Sequence, residues 1–180
     1  MPKHYIWETG FYDSEVRLNA NTLFTKTQAK ANKEAVLVAA SLLDFKGAKP
    51  GPADKLTIVG HGDPGAQKQV IGGRFVASVA KEVVKSDFFK VGKIVLLVCS
   101  DAHATVTTEF AKVVHELGFK GTVVGYKGNV GFATEISFDR QVRAMVDDED
   151  LGRLELQSWP AKGPYRNQLR IEIPPPVKSK

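Results

Sequence analysis

A single cysteine, Cys99, is all the thiol chemistry this 180-residue chain has, and that scarcity excludes an intramolecular disulfide framework. Cys99 is then a buried apolar filler, a reactive thiol or an intermolecular partner, and a reducing compartment suits it best. Long apolar runs are missing too: none approaches the roughly 18 to 20 residues that a membrane-spanning helix needs. The first residues, Met1-Pro2-Lys3-His4-Tyr5-Ile6-Trp7-Glu8, lack the basic segment, apolar stretch and small-residue cleavage site of a secretory signal. The expected location is the cytoplasm, or a target-cell cytosol reached by a route that needs no such signal.

Several enzyme classes fall with the motifs they require. No Gly-x-x-x-x-Gly-Lys-Ser/Thr loop is present to cradle a nucleotide phosphate. A cysteine phosphatase commonly carries an Arg six residues after its nucleophile, and Thr105 stands there. An α/β-hydrolase elbow needs glycines two residues either side of its nucleophile, where this chain has Leu97 and Asp101. One cysteine and four scattered histidines give no zinc-ligand spacing, so no metal site is expected. The net charge of +5 and pI near 9.3 suit a polyanionic partner. No basic stripe interleaved with aromatics announces nucleic acid.

What is present reads as one soluble α/β domain over residues 1–173 with a solvated tail at 174–180, since this length forms one well-buried core and not two. Residues 29–45 place Ala31, Ala35, Val38, Ala39, Leu42 and Leu43 at helical spacing, which predicts a helix. A Gly/Pro-rich loop follows at 47–52. Residues 55–60 form a predicted strand apolar on both faces and deliver His61 at its carboxyl end. A helix is predicted over 74–85, the central strand over 93–98, a helix over 105–117 and a strand over 121–126. Short strands are expected at 130–137, 153–159 and 168–173, separated by the acidic run Asp147-Asp148-Glu149-Asp150. Strand and helix alternation with connections of this length predicts a mainly parallel sheet covered by helices, with C-terminal β additions.

In such sheets ligands bind beyond the carboxyl ends of the strands, where both His61 and Cys99 fall. A thiol is a strong nucleophile once ionised, and an imidazole moves protons near neutral pH. Together they suffice for acyl transfer. Gly62 offers backbone without a side chain, so the Gly62 and Cys99 amides are candidate oxyanion donors. Asp101 and His103, just beyond the cysteine, are candidates for a substrate pocket, with helix capping the plainer role for Asp101. His115 and His4 read as structural or surface residues, and Arg74 as a solvated side chain.

Two segments carry a family resemblance: Leu56-Thr57-Ile58-Val59-Gly60-His61-Gly62 and Ile94-Val95-Leu96-Leu97-Val98-Cys99-Ser100, with Ile71-Gly72-Gly73-Arg74 opening the helix between them. They resemble the clan CD cysteine peptidases, which include caspases, legumains and gingipains. Within that clan they look most like the autoprocessing cysteine protease domains of large bacterial toxins. The resemblance spans residues 55–126. It implies a caspase-like fold, Cys99 as nucleophile, His61 as the acid that protonates the leaving amine, and no required third carboxylate. Members usually carry a small residue before the nucleophile, whereas this chain has Val98. The toxin domains are switched on by inositol hexakisphosphate; here Arg140, Arg143, Arg153, Lys162, Arg166 and Arg170 supply basic residues for such a ligand, and no other cofactor is implied.

The expected activity is thus a cysteine endopeptidase acting on protein or peptide substrates, in a toxin, effector or autoprocessing setting. Two other readings stay open at this level. One is a non-catalytic caspase-like module that binds a protein or polyanion. The other is an acyltransferase or transpeptidase that passes the same acyl group to an amine.

Overall fold

In a computed structural model that describes residues 1–10, 13–30, 32–39, 41–63, 69–101, 103–132, 143–148, 152–157 and 170–177, the chain opens with strand β1 (Lys3–Glu8) and helix α1 (Ser14–Gln28). There follow β2 (Glu34–Val38), β3 (Lys55–Gly60), the short β4 (Val70–Ile71) and β5 (Arg74–Phe75), and α2 (Val76–Lys85). After a 3-10 turn, Asp87–Lys90, come β6 (Lys93–Val98), α3 (Thr105–Glu116) and β7 (Thr122–Tyr126). The C-terminal part contributes β8 (Asn129–Phe132), β9 (Arg143–Asp148), β10 (Gly152–Gln157) and β11 (Arg170–Ile173).

Six strands form the central sheet in the order β11-β7-β6-β3-β1-β2. All neighbours run parallel except β11, which returns antiparallel along β7. Strands β8, β10 and β9 form a separate antiparallel sheet. The α/β, mainly parallel architecture read from the sequence is therefore the one observed, with antiparallel C-terminal additions.

Strand β6 is central, as its unbroken apolar run predicts, and alternate residues serve two cores. Ile94, Leu96 and Val98 face the larger core with Leu56 and Ile58 of β3, Val79 and Val83 of α2, and Phe110 and Val114 of α3. Val95 and Leu97 face the smaller core with Ile6, Val59 and the α1 residues Val16, Ala20 and Leu23. Helix α1 lies on one side of the sheet, and α2 with α3 on the other.

The helix expected over 29–45 is not there: Glu34–Val38 is the edge strand β2, in register with β1 from Lys3↔Glu34 to Trp7↔Val38. Its Ala35-Val36-Leu37-Val38 run satisfies either period, and pairing with β1 decides for strand. The crossover helix is α1, earlier in the chain. Its apolar face is thin, Val16, Ala20, Leu23 and Thr27, and hydrophobic periodicity alone gave it little weight.

Strand β1 is masked in the sequence by polar residues that are buried. His4 Nε2 lies 2.7 Å from Thr57 Oγ1 and Nδ1 3.2 Å from Thr27 Oγ1, so the ring is satisfied inside. Burial, with Lys55 alongside, holds its pKa well below the ordinary 6.5. Glu8 is likewise buried and takes Arg17 Nε at 3.3 Å. The acidic run begins inside a strand, since Asp147 and Asp148 belong to β9. No described helix is long and apolar enough to cross a membrane.

Candidate active site

Strands β3 and β6 pair in parallel down to Gly60↔Val98. The next residues, His61 and Cys99, therefore leave adjacent strands side by side at the carboxyl edge of the sheet. The spacing in sequence predicted this adjacency, and the register supplies it. Cys99 is a free cysteine and partly exposed.

Gly62 is pressed against the Cys99 backbone. A Cβ placed on it would stand 1.8 Å from Cys99 O and 3.0 Å from Val98 Cγ1, so no side chain fits there. The sequence suggests that this glycine clears a path for substrate; in the structure its first role is contact between the loops that follow β3 and β6. Val98, the residue at odds with the family pattern, is buried at 2% exposure and forms the floor under Gly62.

A carboxylate that the sequence reading did not include meets the histidine. Asp13 Oδ2 lies 3.0 Å from His61 Nε2, and Glu15 Oε2 lies 3.8 Å from it. Asp13 is held in place as the N-cap of α1, its Oδ1 accepting from the amides of Glu15 and Val16 at 2.9 and 3.1 Å. The Val16 hydrogen bond, with His61 and the Glu15 amide adding to it, keeps the Asp13 carboxyl below its ordinary pKa despite some desolvation. An Asp-Ser-Glu start just before Val16 is a helix N-terminus signature, the one sequence signal that marks this residue.

The loop after Cys99 is tied on both sides. Ser100 N donates to Gly128 O at 2.9 Å and Gly128 N to Asp101 O at 3.1 Å, while Ser100 Oγ accepts from Val106 N at 3.2 Å. Asp101 accepts from the amides of His103 and Thr105, at 3.0 and 2.9 Å, and from the Thr105 hydroxyl. Partial burial pushes its pKa up, but those hydrogen bonds outweigh it and leave the carboxyl below its ordinary value. Its carboxylate is thus engaged as a cap at the start of α3. His103 is exposed beside it. Ala104, buried, adopts the left-handed region at φ 55° to complete the turn.

Ile71-Gly72-Gly73-Arg74 forms the β4–β5 turn, and Gly72 N donates to His61 O at 2.7 Å. Arg74 is half-exposed and its guanidinium reaches Glu82 at 2.6 Å. A cavity of about 480 Å³ opens beside His61, lined by Thr9, Gly10, Asp13, Val16 and Gly72 among others. A second cavity, about 570 Å³, lies at the opposite edge of the sheet near Pro50, Phe89 and Thr122, far from this chemistry.

Of the basic residues considered for a polyanion, Arg140, Arg166 and Lys162 lie outside the described residues. Arg143 and Arg153 fall in β9 and β10, described as backbone only. Arg170, at the start of β11, pairs with Glu172 at 2.5 Å. His115 Nε2 lies 3.1 Å from Gly121 O and its ring stacks on Phe119.

Among curated proteins, none matches the chain. Among protein families, residues 12–135 match the Peptidase C80 family, a match that takes in β3, β6, His61, Cys99 and Asp13. With a helix-covered, mainly parallel sheet of caspase-like form beneath that match, the chain belongs to the Peptidase C80 family, a family of cysteine peptidases.

Proposed function

We propose that this cysteine peptidase is a clan CD endopeptidase working through Cys99 and His61, with Asp13 orienting the histidine. The observation that carries the reading is the Gly60↔Val98 register, from which His61 and Cys99 follow directly at the ends of neighbouring strands. In its neutral form His61 donates Nε2–H to Asp13, 3.0 Å away, and the lone pair then sits on Nδ1, the nitrogen left for proton traffic. Cys99 Sγ attacks the scissile carbonyl carbon as its own proton passes to His61 Nδ1, and the carbonyl oxygen takes the negative charge. The amides of Gly62 and Cys99 donate to that oxyanion. His61 delivers a proton to the departing amine, the C–N bond breaks, and a thioester remains on Cys99. Water, losing a proton to His61, attacks the thioester carbonyl; the C–S bond then breaks, His61 returns that proton to Cys99 Sγ, and the acid product leaves.

The setting we propose is autoprocessing within a toxin or effector, with inositol hexakisphosphate as the activator to test. Family membership supports the first. The basic excess of the chain suits the second. The test is profiling of new N-termini in lysates incubated with wild type, Cys99→Ala and His61→Ala, each with and without inositol hexakisphosphate. The expected result is a set of cuts sharing a residue preference, lost in both variants. Equal cut sets in all three chains would overturn the dyad, and new isopeptide bonds in place of new N-termini would make the chain a transpeptidase.

A further inference from the structure

The residue that closes β1, Thr9, is polar yet only 6% exposed. Its amide and its hydroxyl both donate to Val59 O, at 3.0 and 2.9 Å, which fastens the end of β1 to the end of strand β3, just before His61. The same hydroxyl occupies the space that two glycines leave open. A Cβ on Gly60 would stand 2.1 Å from Thr9 Oγ1; one on Gly72 would stand 2.6 Å from that atom and 2.9 Å from Thr9 O. Gly60 directly precedes His61, and Gly72 is the residue whose amide holds the His61 carbonyl at 2.7 Å. One buried side chain therefore touches the backbone on the near side of His61 and the turn that grips its far side. Gly10 O accepts from Asp13 N at 2.9 Å, so the carboxylate that meets the imidazole belongs to the same short loop.

We infer that Thr9 is a positioning residue for His61, fixing the backbone from which the imidazole projects while Asp13 fixes the ring. The inference rests on His61 being the acid–base residue. Its physical basis is that a residue leaving a strand end enters a loop, where the chain is otherwise mobile, whereas proton transfer needs heavy atoms within hydrogen-bond reach. Gly60 and Gly72 let Thr9 close that gap, because either residue with a Cβ would push the loop away.

Four variants test this by kcat and KM on a peptide carrying the fastest-cut site found in a lysate digest, with Cys99→Ala and His61→Ala as references. Near-UV circular dichroism checks folding. Thr9→Ser keeps the hydroxyl and is expected to stay within about twofold of wild type, while Thr9→Val, the same shape without it, loses about tenfold in kcat. Gly60→Ala forces a carbon onto Oγ1 and loses on the order of a hundredfold in kcat. The double variant Thr9→Ala/Gly60→Ala removes the clashing atom, leaving the next contacts at 3.3 Å, and regains about tenfold of that loss. KM moves by less than about twofold throughout, as it does when binding is untouched. If Gly60→Ala does not fold, the Thr9→Ser and Thr9→Val pair still decides. Wild-type kcat in Thr9→Val beside an inactive His61→Ala overturns the inference alone, and so does a change confined to KM, which would make Thr9 only a wall of the cavity. Full activity in His61→Ala overturns the acid–base reading and the inference with it.

Discussion

Replacing Gly62 by alanine puts a methyl carbon 1.8 Å from Cys99 O and 2.9 Å from Cys99 C. Both are backbone atoms, so no side-chain rotation relieves the contact, and a carbon next to an oxygen tolerates nothing closer than about 3 Å in a packed interior. The Gly62 segment, the Cys99 loop or both must therefore move apart by more than about 1 Å. Val98 below Gly62 and the hydrogen bonds of Gly128 with Ser100 and Asp101 leave little room for that movement. A displacement of this size between the proposed oxyanion donors and the proposed nucleophile costs on the order of a hundredfold in rate, about 2.7 kcal/mol of transition-state stabilisation. The native state loses about 1 to 3 kcal/mol by overpacking. The assay is kcat on a cut-site peptide beside thermal unfolding of the same preparation. A folded Gly62→Ala chain with kcat within about threefold of wild type would refute the reasoning, because the two loops would then be shown free to separate without consequence.

Three further outcomes follow from individual contacts. Asp13→Asn keeps a cap for α1 but loses the charge facing His61, so activity should fall by roughly tenfold or more with little change in melting temperature, whereas Asp13→Ala should lose both that activity and the cap, with a lower melting temperature; rate and melt measured together separate the two. For His4, whose folded pKa is lowered, the folded state holds the ring neutral while the unfolded chain takes up a proton below 6.5. Its contribution is complete above that pH and is lost as pH falls through it, with a slope of at most about 1.4 kcal/mol per pH unit; urea unfolding at stepped pH should show the slope in wild type and not in His4→Gln. Buried Glu82 accepts from Ser41 Oγ and Leu42 N, each at 2.8 Å, besides pairing with Arg74. Glu82→Ala leaves the buried Leu42 amide unsatisfied and should cost about 2 kcal/mol, read from denaturant midpoints.

What the sequence disclosed depended on how each element is buried. Strands β3, β6 and β7 are covered on both faces, so their apolar runs stand out, and α2 and α3 carry dense apolar faces such as Val79, Val83, Phe110 and Val114. Strand β1 hides because His4 and Glu8 are buried through hydrogen bonding and charge pairing, which hydrophobicity does not register. Helix α1 and β2 were exchanged for one later helix, since an Ala-rich run fits both periods and only the partner strand chooses between them. His61 and Cys99 were legible because each ends an obvious strand. Asp13 was not, because it reaches His61 from the β1–α1 loop, an adjacency created by sheet order. Thr9 was invisible for the same reason: its importance lies in the two glycines packed against it, far along the chain.

The most direct test of the account uses the chain's one cysteine. Graded alkylation with iodoacetamide, the modified fraction read by intact mass, is followed at each step by the rate at which new N-termini appear in a lysate. If Cys99 is the nucleophile, the rate falls in proportion to the unmodified fraction and reaches zero when alkylation is complete. Peptide cutting that persists at full modification would contradict it.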